Sequence, residues 1–281
     1  MRRLTLFCAL LLLGCDGLSD IGGGGGVGEL GFTRGIAFVQ NADIWLADAS
    51  DFEGQVAQLT SEHGNGQPAL SRDGTQVAYV HGDAAGNSGI FSVPSSGGAP
   101  RELVPLGPHA FDGLCWSPAG EALYFADQGG IFSIGADGVG QRRVSAGGDS
   151  YGSPSVAADG TLYALDANQG AFVRLEGSGS VPSFPAPDAA RGAISPDGVR
   201  VVYDDDAAGE IFVLDAPNLP PRQLTAIPGS RQRGAAWSTD GTQVFFSSNA
   251  GGGENIYVVP ASAQGSSGTL VQVGNQPSFG G

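Results

Sequence analysis

The chain contains no lysine: its 13 basic residues are all arginine, set against 28 acids for a formal net charge of −15. Chemistry that needs a lysine amine is excluded, including Schiff bases, the phosphate-cradling lysine of a P-loop and the ATP-pairing lysine of a kinase. Cysteine occurs three times. Cys8 and Cys15 lie at the N-terminus and Cys115 stands alone in an apolar run, so no disulfide framework is available. Cys115 reads as a buried small hydrophobe. No stretch gathers the arginines into a patch. With that balance a phosphate backbone is repelled at long range, and no nucleic-acid partner is expected. What is abundant is glycine: 48 Gly and 17 Pro make up about 23% of 281 residues, beside 41% hydrophobic residues. Such a chain has enough apolar material to fold, through many turns.

The N-terminus has its own pattern. Arg2 and Arg3 precede an apolar run, Leu4 to Leu13, too short to span a bilayer, and Leu12-Leu13-Gly14-Cys15 follows. This resembles the bacterial lipobox, which implies cleavage before Cys15 and acylation of its sulfur. On that resemblance residues 1–14 are a lipoprotein signal peptide, 15–31 the lipidated Cys15 with a Gly-rich tether, and 32–281 the folded domain. The mature chain keeps 11 arginines against 28 acids. Two or three acyl chains anchor stably where one does not, and a tether of about 17 residues reaches roughly 20–25 Å. The expected location is the bacterial cell envelope, on the inner or outer membrane, with the folded part outside the cytoplasm.

From residue 32 the chain repeats itself. A turn recurs as Ser71-Arg72-Asp73-Gly74, Ser117-Pro118-Ala119-Gly120, Ala157-Ala158-Asp159-Gly160, Ser195-Pro196-Asp197-Gly198 and Ser238-Thr239-Asp240-Gly241, with third positions 46, 40, 38 and 43 residues apart. Each turn leads into a strand such as Val77-Ala78-Tyr79-Val80 or Ala122-Leu123-Tyr124-Phe125. A further strand carries Ile90-Phe91, Ile131-Phe132, Ala171-Phe172, Ile211-Phe212 or Ile256-Tyr257. β-Branched and aromatic content with Gly punctuation predicts sheet and almost no helix. Residues 36–60 have the later strands of a unit but no first strand. Gln276-Pro277-Ser278-Phe279 matches Gln67-Pro68-Ala69-Leu70, which predicts a ring closed by the C-terminal strand joining the N-terminal blade. Pro182, Pro185 and Pro187 predict a distorted or shortened fourth strand near 176–187.

Ser-Pro-Asp-Gly, an alternating strand, Ile-aromatic and a closing Leu-Thr are similar to the WD40-like repeat of TolB-type β-propellers, best preserved at 191–225 and 234–259. The resemblance implies an all-β fold: a six-bladed β-propeller of four-stranded blades. Ten residues before each turn's third position stand His63, His109, Asp149, Pro187 and Ser230. A propeller brings these to one channel mouth. His, His and Asp are metal-ligating types, and the related oligogalacturonate lyases use a comparable histidine cluster. Asp112 and Asp188, with Arg191, Arg231 and Arg233, place opposite charges round the same mouth, suiting an anionic or zwitterionic ligand. Asp204-Asp205-Asp206 lacks the spaced ligands of a calcium loop and reads as a solvated strand end. No nucleophile elbow is present.

Two functions follow as expectations. One is a monomeric, lipid-anchored scaffold binding an envelope protein, a cell-wall component or a small ligand, without cofactor or catalytic residues. The other is a polysaccharide lyase or hydrolase depending on a divalent metal held by His63, His109 and Asp149.

Overall fold

A computed structural model describes residues 11–14, 34–48, 51–147, 150–176, 179–250 and 252–271. Every regular element among them is a strand, and the strands form six four-stranded antiparallel sheets, each paired in chain order. Blade 1 holds β1 (Leu11–Gly14), β2 (Arg34–Gln40), β3 (Asp43–Asp48) and β4 (Asp51–Gln58). Blade 2 holds β5 (Asn65–Leu70), β6 (Gln76–Gly82), β7 (Ser88–Pro94) and β8 (Arg101–Gly107). Blade 3 runs from β9 (Phe111–Trp116) through β10 (Ala122–Asp127) and β11 (Gly130–Gly135) to β12 (Arg142–Arg143). Blade 4 runs from β13 (Tyr151–Val156) through β14 (Leu162–Asp166) and β15 (Ala171–Glu176) to β16 (Gly179–Pro185). Blade 5 comprises β17 (Ala189–Ile194), β18 (Val201–Asp205), β19 (Glu210–Leu214) and β20 (Arg222–Gln223). Blade 6 comprises β21 (Gln232–Trp237), β22 (Gln243–Ser248), β23 (Asn255–Pro260) and β24 (Thr269–Val271). The first strands of successive blades pack side by side round a central channel. This is the six-bladed β-propeller that the repeat predicts.

The recurrent residues have local jobs. In the first turn Ser71 Oγ donates to Asp73 Oδ1 (2.6 Å) and accepts from Gln76 N (2.9 Å), while Gly74 sits at φ 72°, where a side chain is strained. Ser195 accepts from Arg200 N and Ser238 from Gln243 N in the same way, each at 2.9 Å. Ala119 lacks the carboxylate, yet Ser117 Oγ still accepts from Ala122 N (3.1 Å), so the serine suffices to close that hairpin. The closing Leu-Thr is explained by a second bond: Thr60 Oγ1 accepts from Ile44 N (2.9 Å) and Thr225 Oγ1 from Ile211 N (2.8 Å), with Ser145 serving Ile131 at 3.0 Å. The hydroxyl satisfies an N–H where the outer ladder ends.

Packing is repeated as well. Tyr79–Phe91, Phe125–Phe132, Tyr203–Phe212 and Phe246–Tyr257 stack across the second and third strands of four blades, with centroids 5.6 to 6.0 Å apart. Each such pair adds about 1 kcal/mol beyond area burial. Between blades, Phe172 and Phe184 of blade 4 pack with Val201 and Tyr203 of blade 5 in one buried cluster. Trp116 Nε1 donates to Ala69 O (2.9 Å) and Trp237 Nε1 to Ala193 O (3.0 Å), so each indole ties its blade to the preceding one. Trp237→Phe keeps the ring but orphans the Ala193 carbonyl. It is expected to cost about 1–3 kcal/mol, read as a lower denaturant midpoint at unchanged slope.

Two expectations about strands change. The place beside β2 that 276–279 was expected to fill is held by β1, in the register Leu11↔Ala37 to Gly14↔Arg34, and β1 packs between β5 and β21. Residues 276–279 lie outside the described residues. The requirement at that edge is a short extended segment with free backbone groups, which Leu11–Gly14 meets. Of the distorted or shortened strand expected near 182, only the distortion is found: β16 is seven residues long, with a register shift against β15 between Phe172 and Val173. It is the outermost strand of its sheet, so a missing N–H on its outer side disrupts no ladder.

Candidate functional site

The channel is a cavity of about 470 Å³ walled by β5, β9, β13, β17 and β21 among the described residues. It runs from Gly64 and Asp204 near the loops that enter the inner strands to Arg72 and Thr239 in the turns at the other end. All five strands break register with their second strand. Six residues before the turn's third position stand Gln67, Gly113, Ser153, Arg191 and Gly234, and four of these have positive φ: 49°, 97°, 46° and 66° for Gln67, Gly113, Ser153 and Gly234. For Gln67 and Ser153 that backbone costs about 1 kcal/mol or more each. Bulges of this kind re-aim side chains and main-chain groups beside sites. Gln67 uses its bulge to bridge blades: Nε2 donates to Phe111 O (3.0 Å) and Oε1 accepts from Gly113 N (2.8 Å). No residue type signals this ring, because Gln, Gly, Ser and Arg share one place; only counting back from the turns finds it.

The predicted charges assemble round the mouth unevenly. Arg191 Nε reaches Asp112 Oδ1 at 3.4 Å, from blade 5 to blade 3 across blade 4, with both side chains nearly half exposed. Arg231 leaves the channel to pair with Asp206 (3.5 Å). Asp188 is exposed, near enough to Tyr203 to join burial and Asp205 in pushing the phenol up to about 12. Arg233 lines the channel, and its buried Nε has no hydrogen-bond partner among the described residues.

The histidines are occupied individually. His63 Nδ1 lies 2.9 Å from Asp43 Oδ2, and His109 Nδ1 lies 2.8 Å from Asp127 Oδ2. Asp43 is buried and also accepts from Thr60 Oγ1 (3.0 Å), His63 N (3.1 Å) and Asn65 Nδ2 (3.1 Å), so His63 helps pin the loop between blades 1 and 2. His109 stacks on Phe111 with centroids 4.9 Å apart. Asp149, like Cys15, lies outside the described residues, and among those described no three His, Cys, Asp or Glu side chains gather as a metal site would need.

Asp204 overturns the reading of a solvated strand end. Only its neighbours fit that description: Asp205 Oδ1 accepts from Ala207 N (2.8 Å) and Ala208 N (2.9 Å) to shape the hairpin, and Asp206 meets Arg231. Asp204 itself is 2% exposed in the channel wall, and Oδ1 has no partner among the described residues. Burial pushes its carboxyl up to about 6 against the pull of Arg191. Glu254, which senses the charge of Arg233, is also raised by burial and has an unpartnered Oε2. Buried polar atoms are nearly always paired, so a donor missing its acceptor at Arg233 and a carboxylate oxygen missing a donor at Asp204 mark the channel lining. Cys115 also lines it, buried, with its thiol pushed up by desolvation and therefore inert.

No known protein-family model matches the chain. Among solved structures it is similar to the tricorn protease, at 16% identity and a TM-score of 0.64, covering 96% of this chain and 27% of that one. It is similar to an oligogalacturonate lyase from Vibrio parahaemolyticus, at 15% identity and a TM-score of 0.54 over 80% of this chain and 74% of that one. TolB from Acinetobacter baumannii shares 20% identity over 85% of this chain and 53% of that one, at a TM-score of 0.41. The likenesses to the tricorn protease and the oligogalacturonate lyase, at such low identity, support the propeller fold and nothing beyond it.

Proposed function

We propose that this chain is a lipid-anchored, extracytoplasmic propeller that binds a polar ligand, or a polar segment of an envelope partner, at the channel mouth near Asp204 and Arg233. The observation that carries this reading is the pair of buried, unpartnered polar atoms on residues that line the channel: Asp204 Oδ1 and Arg233 Nε. A ligand offering both a donor and an acceptor satisfies the two, and the channel volume suits a small molecule or a few residues of a peptide. The anchor rests on the lipobox resemblance of Leu12-Leu13-Gly14-Cys15; cleavage before Cys15 takes β1 (Leu11–Gly14) away with the signal, so in the anchored chain another segment has to pair with β2.

Three measurements test it. Cys15→Ala is expected to abolish labelling by radioactive palmitate and release the protein from the membrane fraction. Crosslinking in intact envelopes is expected to capture a partner or ligand with the whole chain and not with a reporter carrying residues 1–31 alone. Arg233→Gln should reduce that capture about tenfold, the effect of losing one charge-assisted hydrogen bond. No capture above the reporter sinks the binding reading. Stoichiometric divalent metal that disappears in His63→Ala and His109→Ala replaces it with the metal-dependent lyase.

A further inference from the structure

Arginines that are scattered in sequence converge at one place outside the channel. Arg142 and Arg143 form β12 at the outer edge of blade 3, and Arg174 lies on β15 of blade 4. All three line a lateral groove of about 600 Å³ with Tyr124, Ser145 and Glu176. Three of the chain's 13 arginines thus face a single cavity in a protein of net charge −15. Their own contacts leave much of that charge unspent. Arg174 Nη2 pairs with Glu176 Oε1 at 2.6 Å and Asp159 is within its electrostatic reach, but its buried Nε has no partner among the described residues. Arg143 donates from Nε to Ser145 Oγ (3.3 Å) and lies over the Phe132 ring, 5.9 Å from its centroid. Gly130 makes room for it, since a Cβ there would stand 3.0 Å from Arg143 Cζ. Among the described residues neither Arg142 nor Arg143 has an ion pair with a carboxylate. The guanidinium of Arg143 is therefore positioned by neutral groups and keeps its Nη atoms for something else.

The geometry points to an oxyanion site between blades 3 and 4, in which Arg142, Arg143 and Arg174 hold a phosphate or sulfate group. Guanidinium forks match such tetrahedral oxyanions, and a buried donor lacking an acceptor is satisfied by one. The opposing field of the remaining acids is short-ranged: at physiological ionic strength the Debye length is about 8 Å. Distant carboxylates are then screened and the local excess of guanidinium over carboxylate decides. This site is separate from the channel, so it stands whether or not the channel reading holds.

The test is calorimetric titration of the purified full chain with inorganic phosphate and with sulfate, at constant ionic strength set by chloride. Saturable binding is expected. Arg142→Gln with Arg143→Gln together should weaken it about tenfold or more, and Arg174→Gln by a similar factor. Arg101→Gln, on the exposed edge of β8, should leave it unchanged. Arg142 and Arg143 are both exposed, so the double variant should keep the wild-type circular dichroism spectrum. Absence of saturable heat with either anion, or a double variant that binds as tightly as wild type, overturns the proposal.

Discussion

Asp204→Asn is expected to stabilise the protein by about 3 kcal/mol at pH 8 and to change little at pH 4. The sign follows from burial. In the folded chain the Asp204 carboxyl is pushed up to about 6 from an ordinary 3.8. A carboxyl raised on folding favours the native state fully below its unfolded value and loses that contribution as pH climbs through the folded one. The window is thus about pH 4 to 6, and above it the native state carries a buried carboxylate whose Oδ1 lacks a donor. Asparagine mimics the protonated form at every pH. The turn carboxylates work in the opposite sense: Asp73 and Asp197 are lifted by burial, but their serine hydroxyls and backbone N–H donors outweigh it and hold them below 3.8. Their contribution is present at neutral pH and fades on acidification, so wild-type stability alone does not isolate Asp204. The difference between wild type and Asp204→Asn does. Thermal unfolding from pH 4 to 8 should show the curves diverging by roughly 6–12 °C at the alkaline end. Curves that stay parallel would mean that solvent already reaches this carboxylate, and the channel reading would lose its main support.

That a charge should sit in such a place was not legible in the sequence, although most of the architecture was. The repeat of Ser-x-Asp-Gly fixes hairpins by bonds within six residues, as Ser71 to Gln76 shows, and local chemistry of that kind survives in the letters. The Ile-aromatic and Leu-Thr motifs are also local to one blade. The site is different because its partners come from separate blades. Arg191 meets Asp112 79 residues away, and Asp204 is buried by the neighbouring blade's β21 rather than by anything in Asp204-Asp205-Asp206. A run of three acids looks solvated when read alone, yet alternate residues of a strand face opposite ways, and the first of the three is turned inward. The contacts of the two histidines were illegible for a related reason. Equal spacing correctly places His63 and His109 in equivalent loops, but spacing does not reveal that Asp43 and Asp127 wait beside them. The arginine groove was hidden most completely, because β12 and β15 bring together positions that the sequence separates by two strands, β13 and β14, and their turns.

Gly192→Ala is expected to destabilise the protein by about 2–4 kcal/mol, a loss of roughly 10 °C in Tm, although it adds a single methyl group. On β17 Gly192 lies opposite Tyr203, and a Cβ there would stand 2.6 Å from Phe172 Cζ and 2.9 Å from Tyr203 Cβ, and also under 3 Å from the Val202 carbonyl. Two of those neighbours cannot yield: Val202 O is backbone within the sheet, and Phe172 is a fully buried ring that blade 4 inserts against blade 5. Relief therefore means separating two blades. Gly152, also on an inner strand, supplies the control. The nearest atom to a Cβ there is Asp112 Oδ2, the end of a flexible and half-exposed side chain. Gly152→Ala should accordingly cost under about 1 kcal/mol, the worth of the exposed Arg191–Asp112 pair that it displaces. Measured side by side by urea unfolding, the two variants separate a glycine that sets blade spacing from one that seats a mouth carboxylate. Neither Gly192 nor Gly152 has positive φ, so backbone freedom accounts for neither cost, and equal costs would show that the contacts at Phe172 and Val202 do not set the blade spacing. A large loss at Gly192 alone ties the chain's glycine content to how closely its blades can approach the channel.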